Sequence, residues 1–128
     1  WDYVVLQEMS HGPVSTPKSF FSSVARLCEQ IHANGATPVL YATWAYRKGS
    51  EALSAKGWDY DGMSRALSEA YRQAARENRA LLADAGRRFY ERADTEELYA
   101  PDGVHPTEAG SRLAAETIAA AIQSHKEN

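Results

Sequence analysis

Short apolar runs and longer amphipathic stretches follow one another along the chain, and this pattern predicts strands separated by helices. The run Tyr3–Leu6 and residues 38–41 are typical of strands buried on both faces of a parallel sheet. Residues 80–83 form a weaker strand candidate, which could equally extend the helix before them. Strands that alternate with helices indicate a parallel sheet with right-handed crossovers, so we expect a single α/β domain over residues 1–128.

Four helices are predicted between and after these strands. The first begins with Thr16 as its N-cap and Pro17 at its first position, and ends in a left-handed cap at Asn34-Gly35. The second follows Asp59 or Asp61, a short one covers residues 85–92, and the last runs from about 107 to 124. Residues 7–15, the segment from about 47 to 58, and residues 94–104 are expected to be loops.

Composition narrows the possible functions. The chain is 44% hydrophobic and 24% charged, as globular domains are, and its net charge of −3 argues against nucleic acid or an anionic membrane surface as a partner. No apolar run reaches the ~18 residues of a membrane span. The single cysteine, Cys28, lies on an apolar helix stripe and is expected to be a buried structural thiol.

Three polar segments are expected at one edge of the sheet, because ligands of open parallel sheets bind outside the carboxyl ends of the strands. Residues 7–11 follow the first strand, residues 43–46 follow the second, and the loop at 102–105 could reach the same rim. Asp102 and His105 are three residues apart in that loop. A carboxylate beside an imidazole selects its tautomer and stabilises its cation, while the alternative is a simple capped turn before the last helix.

This loop belongs to a longer pattern, Asp102-Gly103-Val104-His105-Pro106-Thr107-Glu108-Ala109-Gly110. The pattern resembles the last conserved block of the SGNH/GDSL hydrolases. The opening Trp1-Asp2-Tyr3-Val4-Val5-Leu6-Gln7-Glu8 resembles the third-strand block of that family, and Thr43-Trp44-Ala45-Tyr46 fits an uncharacterised bacterial branch of it. The resemblance implies a three-layer α/β/α, flavodoxin-like fold and a serine esterase that acts on a small acyl ester, such as an O-acetyl carbohydrate.

The resemblance also implies roles for individual residues. His105 would be the general base that activates serine, and Asp102 would orient His105. Gln7 stands where the family usually has an oxyanion-binding asparagine, so Gln7 and its neighbour Glu8 are candidates for oxyanion or substrate binding. Trp44 and Tyr46 could form the wall of a substrate pocket, although packing at the rim is an equal alternative.

The chain departs from the family at the nucleophile. The family's Gly-Asp-Ser or Gly-Asn-Ser turn is absent, as is the strand before it, and Ser10 has no turn motif behind it. We therefore expect the natural protein to extend roughly 50–70 residues upstream of Trp1, from the length of βαβ units. The bare edge of the first strand would be covered by that segment or by a dimer partner.

Two other interpretations stay open at this point. A non-catalytic domain of the same fold could bind glycans or small molecules, and an unrelated flavodoxin-like module would have Asp102 and His105 pointing apart. No metal-ligand spacing, phosphate loop or dinucleotide fingerprint is present, so no cofactor is predicted. Loop residue His11 and helix residues His32 and His125 are expected at the surface. The arginines at 87, 88 and 92 are most simply a solvated helix face.

Overall fold

The computed structural model describes all residues 1–128, arranged as three strands and six helices. In chain order the elements are β1 (Tyr3–Leu6), α1 (Gly12–Ser15), α2 (Pro17–Ala33), β2 (Thr37–Ala42), α3 (Glu51–Lys56), α4 (Tyr60–Glu77), β3 (Leu81–Asp84), α5 (Ala85–Arg92) and α6 (Glu108–Glu127). The three strands form one parallel sheet in the order β1-β2-β3. The predicted α/β class and parallel sheet are confirmed.

Helices cover the sheet on two faces, because alternate residues of a strand point to opposite sides. Leu40 and Ala42 of β2 point to the face that carries α2 and α4, where they join the larger core cluster with Phe20, Cys28 and Leu67. On the other face, α6 packs against β2 and β3. A smaller apolar cluster next to α6 contains Phe89, Leu98, Tyr99 and Leu113. The domain therefore has the expected three layers.

Cys28 is buried in the larger cluster, and burial raises the pKa of its thiol. A thiol in this environment stays protonated at neutral pH and is a poor nucleophile. The structural role that the helix pattern predicts for Cys28 agrees with this position. None of the helices is both long enough and apolar enough to cross a membrane.

Helix ends follow local signals in most places. Asp59, rather than Asp61, caps α4, since its Oδ1 accepts a hydrogen bond from the Gly62 amide at 2.6 Å. Gly35 adopts a left-handed φ of 77° after α2, as predicted. Thr16 differs, because its hydroxyl donates back to the Gly12 carbonyl at 3.1 Å and makes no side-chain cap for α2.

Two expectations about secondary structure are wrong, and one open alternative does not occur. The loop at 7–15 contains the single-turn helix α1, and the segment at 47–58 contains α3, which Ser50 caps and left-handed Gly57 ends. Both helices are too short to show a helical repeat of apolar residues. The possible extension of α4 through residues 80–83 does not occur, because the chain reverses at Arg79, whose φ is 51°, and continues as β3.

Candidate active site

Residues 98–107 form a hairpin-like segment that presents Asp102 and His105 at its tip. Tyr99 and Pro106 make an antiparallel bridge, and the Ala100 amide donates to the His105 carbonyl at 2.8 Å. Between these two arms the chain turns at Pro101. The turn is closed by the Gly103 amide, which donates to the Ala100 carbonyl at 2.9 Å. The predicted loop is therefore an ordered turn whose two arms are paired.

The Asp102 carboxylate is held by three hydrogen bonds from its own loop. Its Oδ1 accepts from the backbone amides of Val104 and His105, each at 2.9 Å, and its Oδ2 lies 2.6 Å from Nδ1 of His105. The bond to the His105 ring, followed by the two amides, lowers the pKa of Asp102 to about 2. Asp102 is therefore ionised at neutral pH and can only accept.

An ionised Asp102 determines which nitrogen of His105 carries the proton. Because the carboxylate can only accept, the Nδ1 of His105 must donate, and a neutral ring then has its lone pair on Nε2. The His105 side chain is 76% exposed and that of Asp102 is 49% exposed. The pair therefore presents an oriented base to the surface. The 2.6 Å contact also excludes a flavodoxin-like module in which the two side chains point apart.

Neighbouring segments hold this loop from behind. Gly103 has a φ of 71°, which favours glycine, and a Cβ there would come within 2.7 Å of the Ser50 Cβ. The Arg47 amide donates to the Gly103 carbonyl at 2.8 Å, and the Trp44 indole donates to the Val104 carbonyl at 2.9 Å. The segment after β2 therefore fixes the backbone between Asp102 and His105.

A cleft of about 430 Å³ lies beside His105 at the carboxyl ends of β1 and β2. Its lining includes Gln7 from the end of β1, Trp44 and Tyr46 from the segment after β2, and His105 itself. The structure thus brings these four sequence candidates together around one cavity. Asp102 is not part of the lining and contacts His105 from the side.

The two aromatic candidates are more constrained than a free substrate platform would be. The Trp44 ring is stacked on Phe89, with centroids 4.0 Å apart and planes 7° apart, so one of its faces is covered. Tyr46 is buried, and its hydroxyl lies 3.1 Å from the Ser10 hydroxyl. Both side chains therefore contribute to the shape of the cleft, and Trp44 also positions the His105 loop.

Glu8 does not reach this cleft, which revises its candidacy for oxyanion or substrate binding. Both residues follow the end of β1 at Leu6, and Gln7 borders the cleft while Glu8 does not. Glu8 lines a different cavity with Phe20, Leu40 and Tyr71, whereas Gln7 borders both cavities. Its Oε1 accepts from the Met9 amide at 2.6 Å. The sequence pattern presents the two neighbours as a pair, although successive side chains of an extended segment point apart.

Met9, Ser10 and Thr43 also line the cleft, and they belong to the two segments that the sequence places at this edge. Tyr41, at the end of β2, lines it as well but does not stand out in the sequence. Strand alternation is the signal that could have found Tyr41, since it is two residues from buried Val39. Ser10 bonds to Tyr46, and no hydrogen bond joins it to His105. No group of three or more His, Cys, Asp or Glu is placed to hold a metal ion.

Asp102 is expected to titrate with a midpoint near pH 2 in carboxyl-detected NMR, because the His105 ring and two amides stabilise its ionised form. In His105→Ala the pKa should rise toward that of an ordinary aspartate, since the largest cause of the shift is removed. A depressed pKa stabilises the folded state above the ordinary aspartate pKa, and this contribution is lost as pH falls through about 2. His125→Ala should leave the titration unchanged, and an unchanged midpoint in His105→Ala would contradict the pairing.

Comparison with known proteins agrees with the fold and places the chain in a family. The model of the GDSL-like Lipase/Acylhydrolase family matches residues 10–113. The chain therefore belongs to the GDSL-like lipase/acylhydrolase family. This membership supports ester hydrolysis as the family-level activity. No protein with a curated description matches the chain.

Solved structures give a consistent result. A protein from Slackia heliotrinireducens, provisionally assigned to the SGNH hydrolases, is 51% identical with a TM-score of 0.90, over 95% of this chain and 66% of that one. Axe2, an acetylxylan esterase from Geobacillus stearothermophilus, is 19% identical with a TM-score of 0.69, over 94% of this chain and 59% of that one. LAE5, an α/β hydrolase from the metagenome of Lake Arreo, Spain, gives the same values. The chain spans about three fifths to two thirds of these proteins.

Proposed function

We propose that the full protein is a serine ester hydrolase in which His105 is the general base and Asp102 orients it. The observation that carries the proposal is the 2.6 Å contact between Asp102 Oδ2 and His105 Nδ1, made by a carboxylate whose pKa is lowered to about 2. It leaves Nε2 of His105 as the acceptor of a proton beside the cleft.

The reaction follows from this arrangement. A serine hydroxyl attacks the ester carbonyl while its proton passes to His105 Nε2, and Asp102 stabilises the resulting imidazolium. The tetrahedral intermediate collapses as His105 gives the proton to the leaving alcohol. Water then attacks the acyl-serine with His105 again as base, which releases the acid and restores the serine. The side-chain amide of Gln7, at the edge of the cleft, is the proposed donor to the oxyanion.

The serine is proposed to come from a segment outside these 128 residues. Ser10, the serine that lines the cleft, bonds to Tyr46 rather than to His105. The relatives are longer than this chain, and Axe2 has catalytic mutants in which a serine or a histidine is replaced by alanine. The highly exposed His105 ring is accessible to such a segment. The same segment is proposed to pair with β1, an edge strand whose Val5 is 42% exposed.

A small acyl ester is the proposed substrate. A cleft of about 430 Å³ falls near the lower end of the roughly 300–1,000 Å³ range of small-ligand sites. The aromatic residues Tyr41, Trp44 and Tyr46 border it and suit the apolar faces of a sugar ring. The structural neighbour Axe2 is also described as an acetyl-xylooligosaccharide esterase. We therefore propose acetyl groups on a carbohydrate as the substrate class.

Fluorophosphonate labelling of the full-length protein tests the chemistry, together with hydrolysis of 4-nitrophenyl acetate and of acetylated xylooligosaccharides. We expect one serine of the N-terminal segment to be labelled and hydrolysis of short acyl esters to exceed that of long ones. Alanine at the labelled serine should remove both signals. A full-length protein that binds the oligosaccharide yet neither labels nor hydrolyses would instead favour a non-catalytic binding domain.

A further inference from the structure

A second, basic pocket lies between α4 and α5, apart from the cleft beside His105. It has a volume of about 240 Å³ and is lined by eight residues, of which only Tyr90 is hydrophobic. Three of the others are the arginines Arg65, Arg72 and Arg87. We call this cavity the arginine pocket. Its volume is below the roughly 300–1,000 Å³ typical of sites for drug-sized ligands, so it suits a small molecule.

The charge of the arginine pocket is opposite to that of the chain. Its lining holds three arginines and one carboxylate, Asp61, whereas the whole chain has a net charge of −3. Arg65 and Arg72 have no carboxylate within 4.0 Å of their nitrogens. Arg87 pairs with Glu91, with Nε 3.6 Å from the carboxylate and both side chains more than half exposed. Most of the guanidinium donors around this cavity are therefore free of acidic partners.

The acidic groups at the pocket already have hydrogen-bond donors from the protein. Asp61 Oδ1 accepts from the Tyr90 hydroxyl at 2.9 Å. Asp84, next to the pocket at the start of α5, accepts from the Arg87 amide at 3.1 Å and from the Ser68 hydroxyl at 3.4 Å. Arg72 in turn donates to Ser68 at 3.3 Å, which holds its guanidinium along α4.

An aromatic side chain, Tyr90, lines the pocket together with the arginines. Tyr90 is 47% exposed, and its ring is stacked on Tyr60 with centroids 5.5 Å apart and planes 13° apart. This stacking fixes the plane of Tyr90 at the pocket. A ligand with a ring and an anionic group could place the ring near Tyr90 and the anion among the arginines.

We propose that the arginine pocket is a binding site for a small ring-bearing ligand with a phosphate or carboxylate group. Guanidinium groups match the oxygens of both anions, because their fork of N–H donors can make two parallel hydrogen bonds. The hydroxyl of Ser64 in the lining adds a neutral donor, whereas the Ser68 hydroxyl already donates to Asp84. The site needs neither the serine nor the His105 base of the proposed function.

The backbone that lines the arginine pocket contacts the backbone that lines the cleft beside His105. The contact is at Gly86, which lines the arginine pocket. A Cβ on Gly86 would collide with the Thr43 carbonyl oxygen and approach the Trp44 Cα at 3.4 Å. Thr43 and Trp44 line the other cleft. The two cavities share no lining residue, so we expect substitutions of the arginines to leave the His105 site intact.

Isothermal titration calorimetry of the full-length protein with phenyl phosphate, benzoate and phenol tests the site. We expect saturable one-to-one binding of at least one of the two anions, weakened by added salt, and no binding of phenol. Tighter phenyl phosphate binding identifies phosphate ligands, and tighter benzoate binding identifies carboxylates. The double variant Arg65→Gln/Arg72→Gln should weaken binding by roughly tenfold or more, since charge-assisted hydrogen bonds are lost.

Arg112→Gln is the matched control, because Arg112 is an exposed helix arginine paired with Glu108 outside the pocket. It should bind as the unmodified protein does, and circular dichroism should show all variants folded. Hydrolysis of 4-nitrophenyl acetate should be the same in the double variant, which separates this site from the proposed function. The inference is overturned if neither anion saturates the protein by ~10 mM, a concentration that would detect even weak binding, or if the double variant binds both unchanged.

Discussion

His105→Ala in the full-length protein is expected to reduce kcat/KM for 4-nitrophenyl acetate by roughly 10⁴-fold or more, since the proposed base is lost. The side chain is 76% exposed, so its removal leaves no buried cavity. The melting temperature should therefore change little. Steady-state kinetics together with thermal unfolding separates the loss of the base from a loss of structure.

His125→Ala is the matched control for this variant. His125 is also an exposed histidine, and its Nδ1 contacts the Tyr3 hydroxyl at 2.7 Å, at the start of β1 and the opposite end of the sheet from the cleft. We expect its kcat/KM to stay within about twofold, because no group of the site contacts it. Near-normal turnover in His105→Ala would remove His105 from the mechanism.

Asp102→Asn is expected to lower kcat by roughly 10²–10⁴-fold with little change in KM. An asparagine can keep its oxygen on the Val104 and His105 amides, which hold the loop tip. Its NH₂ would then face His105 Nδ1 and force that nitrogen to accept, which places the ring proton on Nε2. A ring protonated at Nε2 cannot take the proton of serine.

The control for Asp102→Asn is Asp94→Asn, at the start of the same connection between α5 and α6, where the aspartate is exposed. It should retain full activity. If Asp102→Asn kept kcat within about threefold, Asp102 would be a structural turn residue, as the capped-turn alternative holds. A fall in melting temperature to match the fall in activity would point to the same conclusion.

The sequence predicted the elements whose signals are local. The apolar pattern alone places strands at Tyr3–Leu6 and residues 38–41. The expected burial on both faces holds for the central part of β2 and is wrong for β1, an edge strand whose Val5 is 42% exposed. Helix α2 could be placed in the same way from its apolar repeat and from Asn34-Gly35 at its end. The short helices α1 and α3 could not, because one or two turns contain too few residues to repeat a pattern.

The pairing of Asp102 with His105 was also predictable, since both groups lie in one turn closed by bonds between near neighbours in sequence. The positions of the side chains around the pair were less predictable from the sequence. Gln7 lines the cleft and Glu8 does not, and Trp44 uses one face to stack on Phe89 and its N–H to bond Val104. The contacts of Trp44 join residues distant in sequence.

By itself, then, the sequence determined the family, the parallel α/β fold, and an oriented His105 whose partner is three residues away. Only the tertiary structure decided which side chains surround His105. It also decided that Arg65, Arg72 and Arg87 share one pocket, whereas the sequence indicated only a solvated helix face for Arg87. The physical reason is the range of the interactions. Caps, turns and apolar periodicity act within a few residues, whereas clefts form where helices and strands meet in the folded chain.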